Sequence, residues 1–270
     1  MRAENVSYVV APYEADAQLA YLEKAGLVDA ILTEDSDLLV FGSKTILYKF
    51  DPVARTVVSI SRSQFGSVTT ASSDSISLYG WSDSQFRSMA ILSGCDYLPS
   101  ISGIGLKTAW SLLRKWKTAE QVVRAVTLEG KRKVPSGYWK EFQLAEKCFL
   151  HQRVYCPLAE RLVHLTAVGS DWNEVYDAYV GGYGFLMSTG LFAHQNCSDI
   201  DPGLAKQIAL GDVCPVSRCT MTDINPSYKP RVLKPIPAAI VSPNKSAKSQ
   251  GKMRQNLPST GGILNFFGKT

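Results

Sequence analysis

Two pairs of carboxylates, one on each side of a predicted helix, constrain what this chain can fold into. The pairs Glu14/Asp16 and Asp35/Asp37 each follow a short apolar run that reads as a strand. In an open α/β sheet the carboxyl ends of neighbouring strands border one crevice, so we expect the two pairs to lie together. Convergent carboxylates suit hard cations such as Mg²⁺ or Mn²⁺. Each pair alone is also typical of a first helical turn, where acidic side chains complement the helix dipole.

The apolar pattern predicts an α/β half followed by a mostly helical half. We predict a helix over 13–25 that ends at Gly26, and strands at 6–11, 28–32, 38–41, 46–50 and 57–60. From residue 82 the periodicity becomes helical. Helices are predicted over 83–94, 106–116, 119–126, 138–153, 172–179 and 202–210, with an extended pair at 154–165.

The charge of the chain is unevenly distributed. After Asp223 there are eight basic residues and no acidic one, whereas the preceding part holds 21 basic and 24 acidic residues. Basic tails are typical of segments that contact nucleic acid or direct nuclear import, and also of solvated linkers. No apolar run approaches the roughly 20 residues that a membrane span needs, so no membrane partner is expected. The six scattered cysteines favour reduced intracellular thiols over a disulfide framework.

The run ILSGCDYLPSISGIGLKTA, at 91–109, is the most specific in the chain. Gly103 and Gly105 precede a predicted helix, so the backbone can turn sharply there and present its amides to a phosphate. Lys107 adds a positive charge at the same place. Asp96, seven residues before Gly103, is a fifth acid at the end of an apolar helix. A carboxylate is an unusual choice in that position unless it is charged and bound to a ligand.

These motifs resemble the flap-endonuclease and XPG-type superfamily of structure-specific 5′ nucleases. The segments VAPYEADAQL (10–19) and ILSGCDYL (91–98) are similar to its exonuclease 1 branch, and the resemblance covers residues 5–215. It implies a PIN-like α/β fold, with a mostly parallel sheet flanked by helices and then a helical helix–two-turn–helix region. The implied domains are part of the α/β nuclease core at 1–80, the helical DNA-binding region at 81–214 and a disordered basic tail at 215–270.

The resemblance also implies a Mg²⁺-dependent 5′→3′ exonuclease and 5′ flap endonuclease that acts on duplex DNA. Members of the superfamily hold two divalent ions, with Mn²⁺ as an alternative, by means of seven carboxylates. Five of these positions match here: Glu14, Asp16, Asp35, Asp37 and Asp96. Such ions generate a hydroxide and clamp the scissile phosphate for in-line hydrolysis. A phosphotransferase built on Asp35 and Asp37 alone would explain neither Asp96 nor the glycine turn.

The glycine turn resembles the helix–two-turn–helix element that grips duplex DNA by its backbone. The resemblance implies DNA contacts at Gly103, Gly105 and Lys107. It also implies a K⁺ ion held by oxygens at the positions of Ser93, Ser100 and Ile104. A grip on the phosphate backbone does not depend on DNA sequence and weakens as the salt concentration rises.

Two further aspartates and a basic helical arch, which the resemblance leads us to expect before Met1, are not in the sequence. We interpret the chain as a truncated member: a fragment, a partial gene model or a shortened paralogue. A scissile phosphate misplaced by ~1 Å can lower the rate by ~10²-fold. The alternative function is therefore a catalytically impaired module that binds DNA.

The last residues, GILNFF at 262–267, resemble the box by which proteins dock on the sliding clamp PCNA. The partner-binding residues would be Ile263, Phe266 and Phe267, and the alternative is an accidental hydrophobic terminus. The resemblance further implies a nuclear, monomeric protein that acts with mismatch-repair proteins in mismatch repair, resection and recombination on DNA with 5′ ends, nicks or flaps.

Overall fold

The computed structural model describes residue 4 and residues 6–67, 76–180 and 200–221. The chain divides into a unit of Val9–Met221 and a second unit of Met1–Tyr8 with Thr222–Thr270. Only a few residues of the second unit are described, and the predicted clamp-binding box and disordered tail beyond residue 221 lie outside the described residues. All elements below belong to Val9–Met221. None of its described helices is long and apolar enough to cross a membrane.

The α/β half contains one three-stranded sheet in the order β1-β2-β3. Strands β1 and β2 are parallel, with Ile31 opposite Ile46, and β2 and β3 are antiparallel, with Ile46 opposite Ile60. The elements of this half are α1 (Ala15–Lys24), β1 (Ile31–Leu32), α2 (Asp37–Phe41), β2 (Thr45–Asp51), β3 (Thr56–Ser61) and a 3₁₀ helix (Arg62–Ser67). The predicted α/β class is confirmed.

Two predicted strands were wrong. The stretch 6–11 forms no strand. The Val10 amide instead donates to the carbonyl of Ala209, the last residue of a later helix, at 3.0 Å. The stretch 38–41 is helical and belongs to α2, which ends at Gly42 with φ +94°. A short buried apolar run does not distinguish strand from helix by its periodicity, and here the left-handed glycine closes a helix.

Two buried polar side chains fix the position of α1. The side-chain amide of Gln18 pairs with the backbone of Tyr155 as a neighbouring strand would. Its Nε2 donates to the Tyr155 carbonyl and its Oε1 accepts from the Tyr155 backbone N–H, each at 2.8 Å. Glu23 accepts the amides of Lys44 and Thr45 at 2.7 Å each, at the start of β2. A buried polar group must be hydrogen-bonded to be tolerated, so these contacts hold α1 in one register.

The second half is helical, as predicted. Helix α3 begins with a reciprocal capping box between Ser82 and Gln85. The elements are α3 (Asp83–Ser93), α4 (Leu106–Trp116), α5 (Ala119–Glu129), α6 (Tyr138–His151), β4 (Arg153–Cys156), β5 (Arg161–His164), α7 (Glu174–Tyr179) and α8 (Pro202–Ala209). Strands β4 and β5 pair antiparallel, which confirms the predicted extended pair. The five described cysteines form no disulfide with one another.

Phe149 of α6 connects the two halves through aromatic contacts. Its ring lies 5.0 Å from that of Phe41, the last residue of α2, and 4.9 Å from that of Tyr97, which follows α3. Both contacts are edge-to-face, the arrangement that aromatic rings prefer. The core of the helical half therefore lies directly beneath the segments that carry the predicted site.

Candidate active site

Three chain segments bring the five predicted carboxylates together. Glu14 is the residue immediately before α1 and Asp16 lies in the first turn of that helix. Asp35 and Asp37 follow β1, where Asp37 opens α2. Asp96 lies in the turn after α3, which is closed by reciprocal backbone hydrogen bonds between Cys95 and Leu98 at 3.0 and 3.2 Å.

Repulsion among the carboxylates contributes to the raised pKa values of Asp16 and Asp37. Burial, followed by repulsion from three of the other carboxylates, raises the pKa of Asp16 to about 6. Burial and repulsion from the other four raise the pKa of Asp37 to about 7. Among the described residues, no basic side chain contributes to either shift. The cluster is therefore an uncompensated concentration of negative charge, which a cation would stabilise.

Glu14 is the member of the cluster that other side chains hold most closely. Burial raises the pKa of its carboxyl, while hydrogen bonds from Tyr97 and Gln152 act in the opposite direction. The Tyr97 hydroxyl donates to Glu14 Oε2. Although Glu14 stands at the start of α1, its side chain makes no capping hydrogen bond with the helix. Glu14 therefore occupies the N-cap position of α1 without capping the helix through its side chain.

Asp35 closes a local turn just before α2. Its Oδ1 accepts the Asp37 amide at 2.8 Å, at the first residue of α2. Tyr48, from β2, donates its hydroxyl to the Asp35 carbonyl at 3.1 Å and so fixes the backbone of the same turn. One oxygen of Asp35 is thus engaged in local structure, while the same carboxylate contributes to the repulsion felt by Asp16 and Asp37.

The chemistry of this donor set fits a hard divalent cation, because all five groups are carboxylates. In the ranges that the structure describes, no three His, Cys, Asp or Glu side chains are already close enough to hold a metal ion. The acids are nevertheless near enough for Asp16 and Asp37 to experience the charge of other carboxylates in the set, and a divalent cation would offset that charge.

The turn after α3 depends on Gly94, which has φ +101°. A Cβ at this position would lie 3.3 Å from both the Cβ and the amide nitrogen of Ser100. Ser93, another residue predicted to bind K⁺, donates its hydroxyl to the Ala90 carbonyl at 2.7 Å. The third, Ile104, is buried and its amide donates to the Ile101 carbonyl at 2.8 Å. Ser100 packs closely against Gly94. A K⁺ site at Ser93, Ser100 and Ile104 stays a prediction.

The predicted DNA-binding turn begins at Gly103, which has φ +80°. Gly105 then precedes α4, and no side chain caps this end of the helix. Arg132, from the loop between α5 and α6, places its Nε 3.5 Å from the point that a Gly103 Cβ would occupy. Lys107 is exposed in the first turn of α4. The turn thus combines uncapped amides with nearby positive charge.

Two groups of residues near these sites were missed from the sequence. Tyr97 and Gln152 contact Glu14 across large separations in the chain, which no local pattern reveals. The basic run Lys131-Arg132-Lys133 could have been noticed as three consecutive charges between two predicted helices. Its proximity to Gly103 depends on the packing of the helical half and is not readable from spacing.

Comparison with known proteins agrees with this architecture. Residues 5–96 match the family model of the XPG I-region. Exodeoxyribonuclease 1 of Schizosaccharomyces pombe is 39% identical over 219 residues, which are 81% of this chain and 34% of that protein. Exonuclease 1 of Arabidopsis thaliana is 38% identical over 218 residues, again 81% of this chain and 26% of that protein. The chain spans about a third or less of the length of these relatives.

Among solved structures, flap endonuclease-1 from Methanococcus jannaschii aligns over 77% of this chain and 52% of its own, with a TM-score of 0.41 and 18% identity. The sequence relatives and the family match are the stronger findings, and the family match at residues 5–96 spans all five carboxylates. The chain carries an XPG I-region and belongs, with the exonuclease 1 proteins, to the flap-endonuclease and XPG-type superfamily of 5′ nucleases.

Proposed function

We propose that this chain is a metal-dependent DNA nuclease of the exonuclease 1 type, which hydrolyses phosphodiester bonds at the 5′ ends, nicks or flaps of duplex DNA. The observation that carries the proposal is the cluster of five mutually repelling carboxylates with no basic neighbour acting on Asp16 or Asp37. Such a cluster is costly to fold unless a ligand of opposite charge binds it.

Mg²⁺ is the proposed ligand, with Mn²⁺ as a substitute, held by Glu14, Asp16, Asp35, Asp37 and Asp96. A bound divalent ion lowers the pKa of water and neutralises charge on a phosphoryl oxygen. The protein contributes the positions of the carboxylates. The hydrogen bonds of Gln18 and Glu23 hold α1, and with it Glu14 and Asp16, in position. The Tyr48 hydroxyl fixes the backbone of Asp35. The Cys95–Leu98 turn fixes Asp96.

Duplex DNA is the proposed substrate because a basic surface accompanies the acidic cluster in the same unit. Residues 103–140 contain nine basic and two acidic residues. They include the turn at Gly103, Gly105 and Lys107, whose amides and charge suit a backbone phosphate. Contacts of this kind give binding that is independent of sequence and falls steeply with salt.

The loop Lys131-Arg132-Lys133 enlarges this proposed backbone contact. Lys131 and Lys133 are exposed, and Arg132 is half-buried beside Gly103. In the described part of the chain, none of the three pairs with an acidic side chain. Their charges are therefore available to neutralise phosphates and release the counterions of DNA.

The finer features of the proposal follow the family. We propose a K⁺ ion at Ser93, Ser100 and Ile104 that supports the glycine turn, and a role in nuclear DNA repair alongside mismatch-repair proteins. Docking on the sliding clamp is proposed for Ile263, Phe266 and Phe267. A pulldown with the clamp tests this last point, because Phe266→Ala/Phe267→Ala should abolish recovery; equal recovery would end the idea. The proposed domain division at residues 80 and 214 is tested by limited proteolysis.

The second candidate function is DNA binding without cleavage, supported by the basic segment alone. A 5′-labelled nicked duplex, incubated with the chain and Mg²⁺, separates the two functions. We expect cleavage that Asp35→Ala abolishes, while DNA binding measured by anisotropy stays within about twofold, because Asp35 lies outside the basic segment. Binding without any cleavage that depends on Asp35 would favour the binding module.

A further inference from the structure

We propose that Tyr97 and Gln152 are positioning residues that hold the Glu14 carboxylate in the orientation a divalent cation requires. This inference rests on the proposed function, since it assigns a role within the same site. Tyr97 and Gln152 do not bind the cation themselves. They act through Glu14, and through α6, on which the other acidic segments also rest.

The contact between Tyr97 and Glu14 is direct. The Tyr97 side chain is 4% exposed and its hydroxyl donates to Glu14 Oε2. A hydrogen bond between a phenol and a carboxylate is charge-assisted and fixes the direction of the acceptor. Tyr97 makes this hydrogen bond with Oε2 and not with the other carboxylate oxygen, Oε1. One oxygen of the carboxylate is therefore committed to protein structure and the other remains for a ligand.

Gln152 is the second member of the pair. It is 4% exposed, and its Nε2 lies 3.5 Å from the Tyr97 hydroxyl oxygen. Its Oε1 accepts the Arg153 amide at 3.1 Å, which fixes which end of the amide group faces Tyr97. A hydrogen bond from Gln152 also reaches Glu14, where it lowers the pKa of the carboxyl against the effect of burial. The amide thus supports both the hydroxyl and the carboxylate.

The packing of α6 extends this support to other acids of the cluster. Tyr97 directly follows Asp96, and its ring packs edge-to-face on Phe149 of α6. Phe149 also packs on Phe41, which ends the short helix that Asp37 begins. Gln152 follows the same α6. Residues next to three carboxylate-bearing segments therefore contact α6 or the residue that follows it. The Tyr97 hydroxyl makes the polar contact of this set, because it donates to Glu14.

The expected consequence is on metal affinity. Side chains that orient a metal ligand typically change affinity by about 10- to 100-fold when they are lost. Tyr97→Phe removes one hydroxyl and keeps the ring that packs on Phe149. We expect this variant to bind Mn²⁺ about 10-fold more weakly than the wild-type chain. Tyr138→Phe is the matched control, because the Tyr138 hydroxyl is buried and makes no hydrogen bond with any of the five carboxylates.

The experiment is a calorimetric titration of the full chain with Mn²⁺ at pH 7.5, with thermal unfolding in EDTA for each variant. We expect weaker Mn²⁺ binding by Tyr97→Phe, unchanged binding by Tyr138→Phe, and unfolding temperatures in EDTA that do not follow this order. Wild-type affinity in Tyr97→Phe, or an equal loss in both variants, would overturn the positioning role. If Tyr97→Phe does not fold, Gln152→Leu carries the same expectation, and wild-type affinity in that variant overturns the role.

Asp96→Asn, measured alongside, separates this inference from the proposed function. If Asp96→Asn binds Mn²⁺ as tightly as the wild-type chain, the cation is not at the cluster and the proposed function fails together with the inference. If Asp96→Asn binds weakly while Tyr97→Phe binds normally, the metal site stands and only the role of Tyr97 and Gln152 is rejected.

Discussion

The carboxylate cluster and the basic segment 103–140 both concentrate charge of one sign, but they do so in different environments. In the cluster, which three segments supply, Glu14, Asp16 and Asp37 are partly buried while Asp35 and Asp96 are exposed. Burial together with repulsion raises the pKa of Asp16 and Asp37. In the basic segment, nine positive residues meet two negative ones, and Lys107, Lys131 and Lys133 stay in solvent. The cluster can reduce its charge by taking up protons, whereas the basic surface relies on water and counterions.

The difference teaches which variable reports on which region. Lysine and arginine keep their charge far above neutral pH, so the basic segment responds to salt and hardly to pH. The pKa values of Asp16 and Asp37, raised to about 6 and about 7, make the cluster respond to pH near neutrality, and the partial burial of these two groups reduces their screening by salt. Measurements against salt and against pH therefore address the two regions separately.

The largest expected effect concerns the basic segment. Replacing Lys131, Arg132 and Lys133 by glutamine removes three phosphate-neutralising charges and should weaken binding to a nicked duplex by about 100-fold at low salt. The slope of log K against log salt should become less steep by about 2 to 3 units. Fluorescence anisotropy between low and physiological salt measures both quantities.

Lys147→Gln is the control for this loop, because the Lys147 ammonium pairs with Asp171 outside the basic segment. It should leave the salt slope within the error of the wild-type value. A slope that is equally steep in the triple variant would show that the loop does not touch DNA.

The second effect concerns the cluster and pH. The pKa of Asp37 is raised from 3.8 in its ordinary environment to about 7 in the folded chain. Its protonated form therefore stabilises the fold below about pH 4, and this contribution is lost as the pH rises through 7. In EDTA, the wild-type chain should lose stability between pH 4 and pH 7, and Asp37→Asn should lose less.

Asp171→Asn gives the opposite sign, because the Lys147 ammonium lowers the pKa of Asp171. The Asp171 contribution is present above the ordinary pKa of the carboxyl and disappears as the pH falls through its lowered value. Urea unfolding at several pH values tests both variants. If wild type and Asp37→Asn lose equal stability up to pH 7, the raised pKa of Asp37 is wrong.

The third effect is on the turn that carries Asp96. Gly94→Ala should destabilise the fold by about 1–2 kcal/mol, since it forces a side chain into a left-handed conformation and against Ser100. Gly80→Ala is the matched control. Gly80 has φ +71° with no atom within 4 Å of a Cβ, so it isolates the conformational cost from the steric one. Equal losses of stability in the two variants would show that the contact with Ser100 is unimportant.

The smallest expected effect separates the two roles of Asp35. Asp35→Asn removes the charge but keeps an acceptor for the Asp37 amide, whereas Asp35→Ala removes both. The alanine variant should be less stable than the asparagine variant by about 0.5–1 kcal/mol, in the range usual for one hydrogen bond. Equal stability would show that this hydrogen bond does not stabilise the fold. Both variants should abolish DNA cleavage, because the negative charge is lost in each.

The metal site predicted at Glu14, Asp16, Asp35, Asp37 and Asp96 stays a prediction. Acids after successive apolar segments were expected at one edge of an α/β unit, and Asp16 and Asp37 do experience the charge of their neighbours in the set. The strand predicted over 38–41 became part of α2, yet Asp37 still faces the cluster. The position of an acid after an apolar run could be read from the sequence whether a strand or a helix follows it.

Contacts across the chain could not be predicted in the same way. The hydrogen bond from Tyr97 to Glu14 joins residues 83 positions apart, and that from Gln18 to Tyr155 joins residues 137 apart. Such contacts depend on how helices pack, and no periodicity records packing. The segment 6–11 was mistaken for a strand because a short apolar run does not reveal its partner: Val9 and Val10 pack against a core cluster that includes buried residues of α8, and the Val10 amide donates to the Ala209 carbonyl.

The most direct test of the central claim is the anomalous diffraction of Mn²⁺ in crystals of the full chain at neutral pH. We predict an anomalous peak among Glu14, Asp16, Asp35, Asp37 and Asp96, with carboxylate oxygens from at least two of the three segments at about 2.0–2.4 Å. The acid side chains should turn inward relative to their positions without metal. A saturated crystal with no peak at the cluster, or with Mn²⁺ only at other acids, would contradict the assignment of a metal-dependent nuclease site.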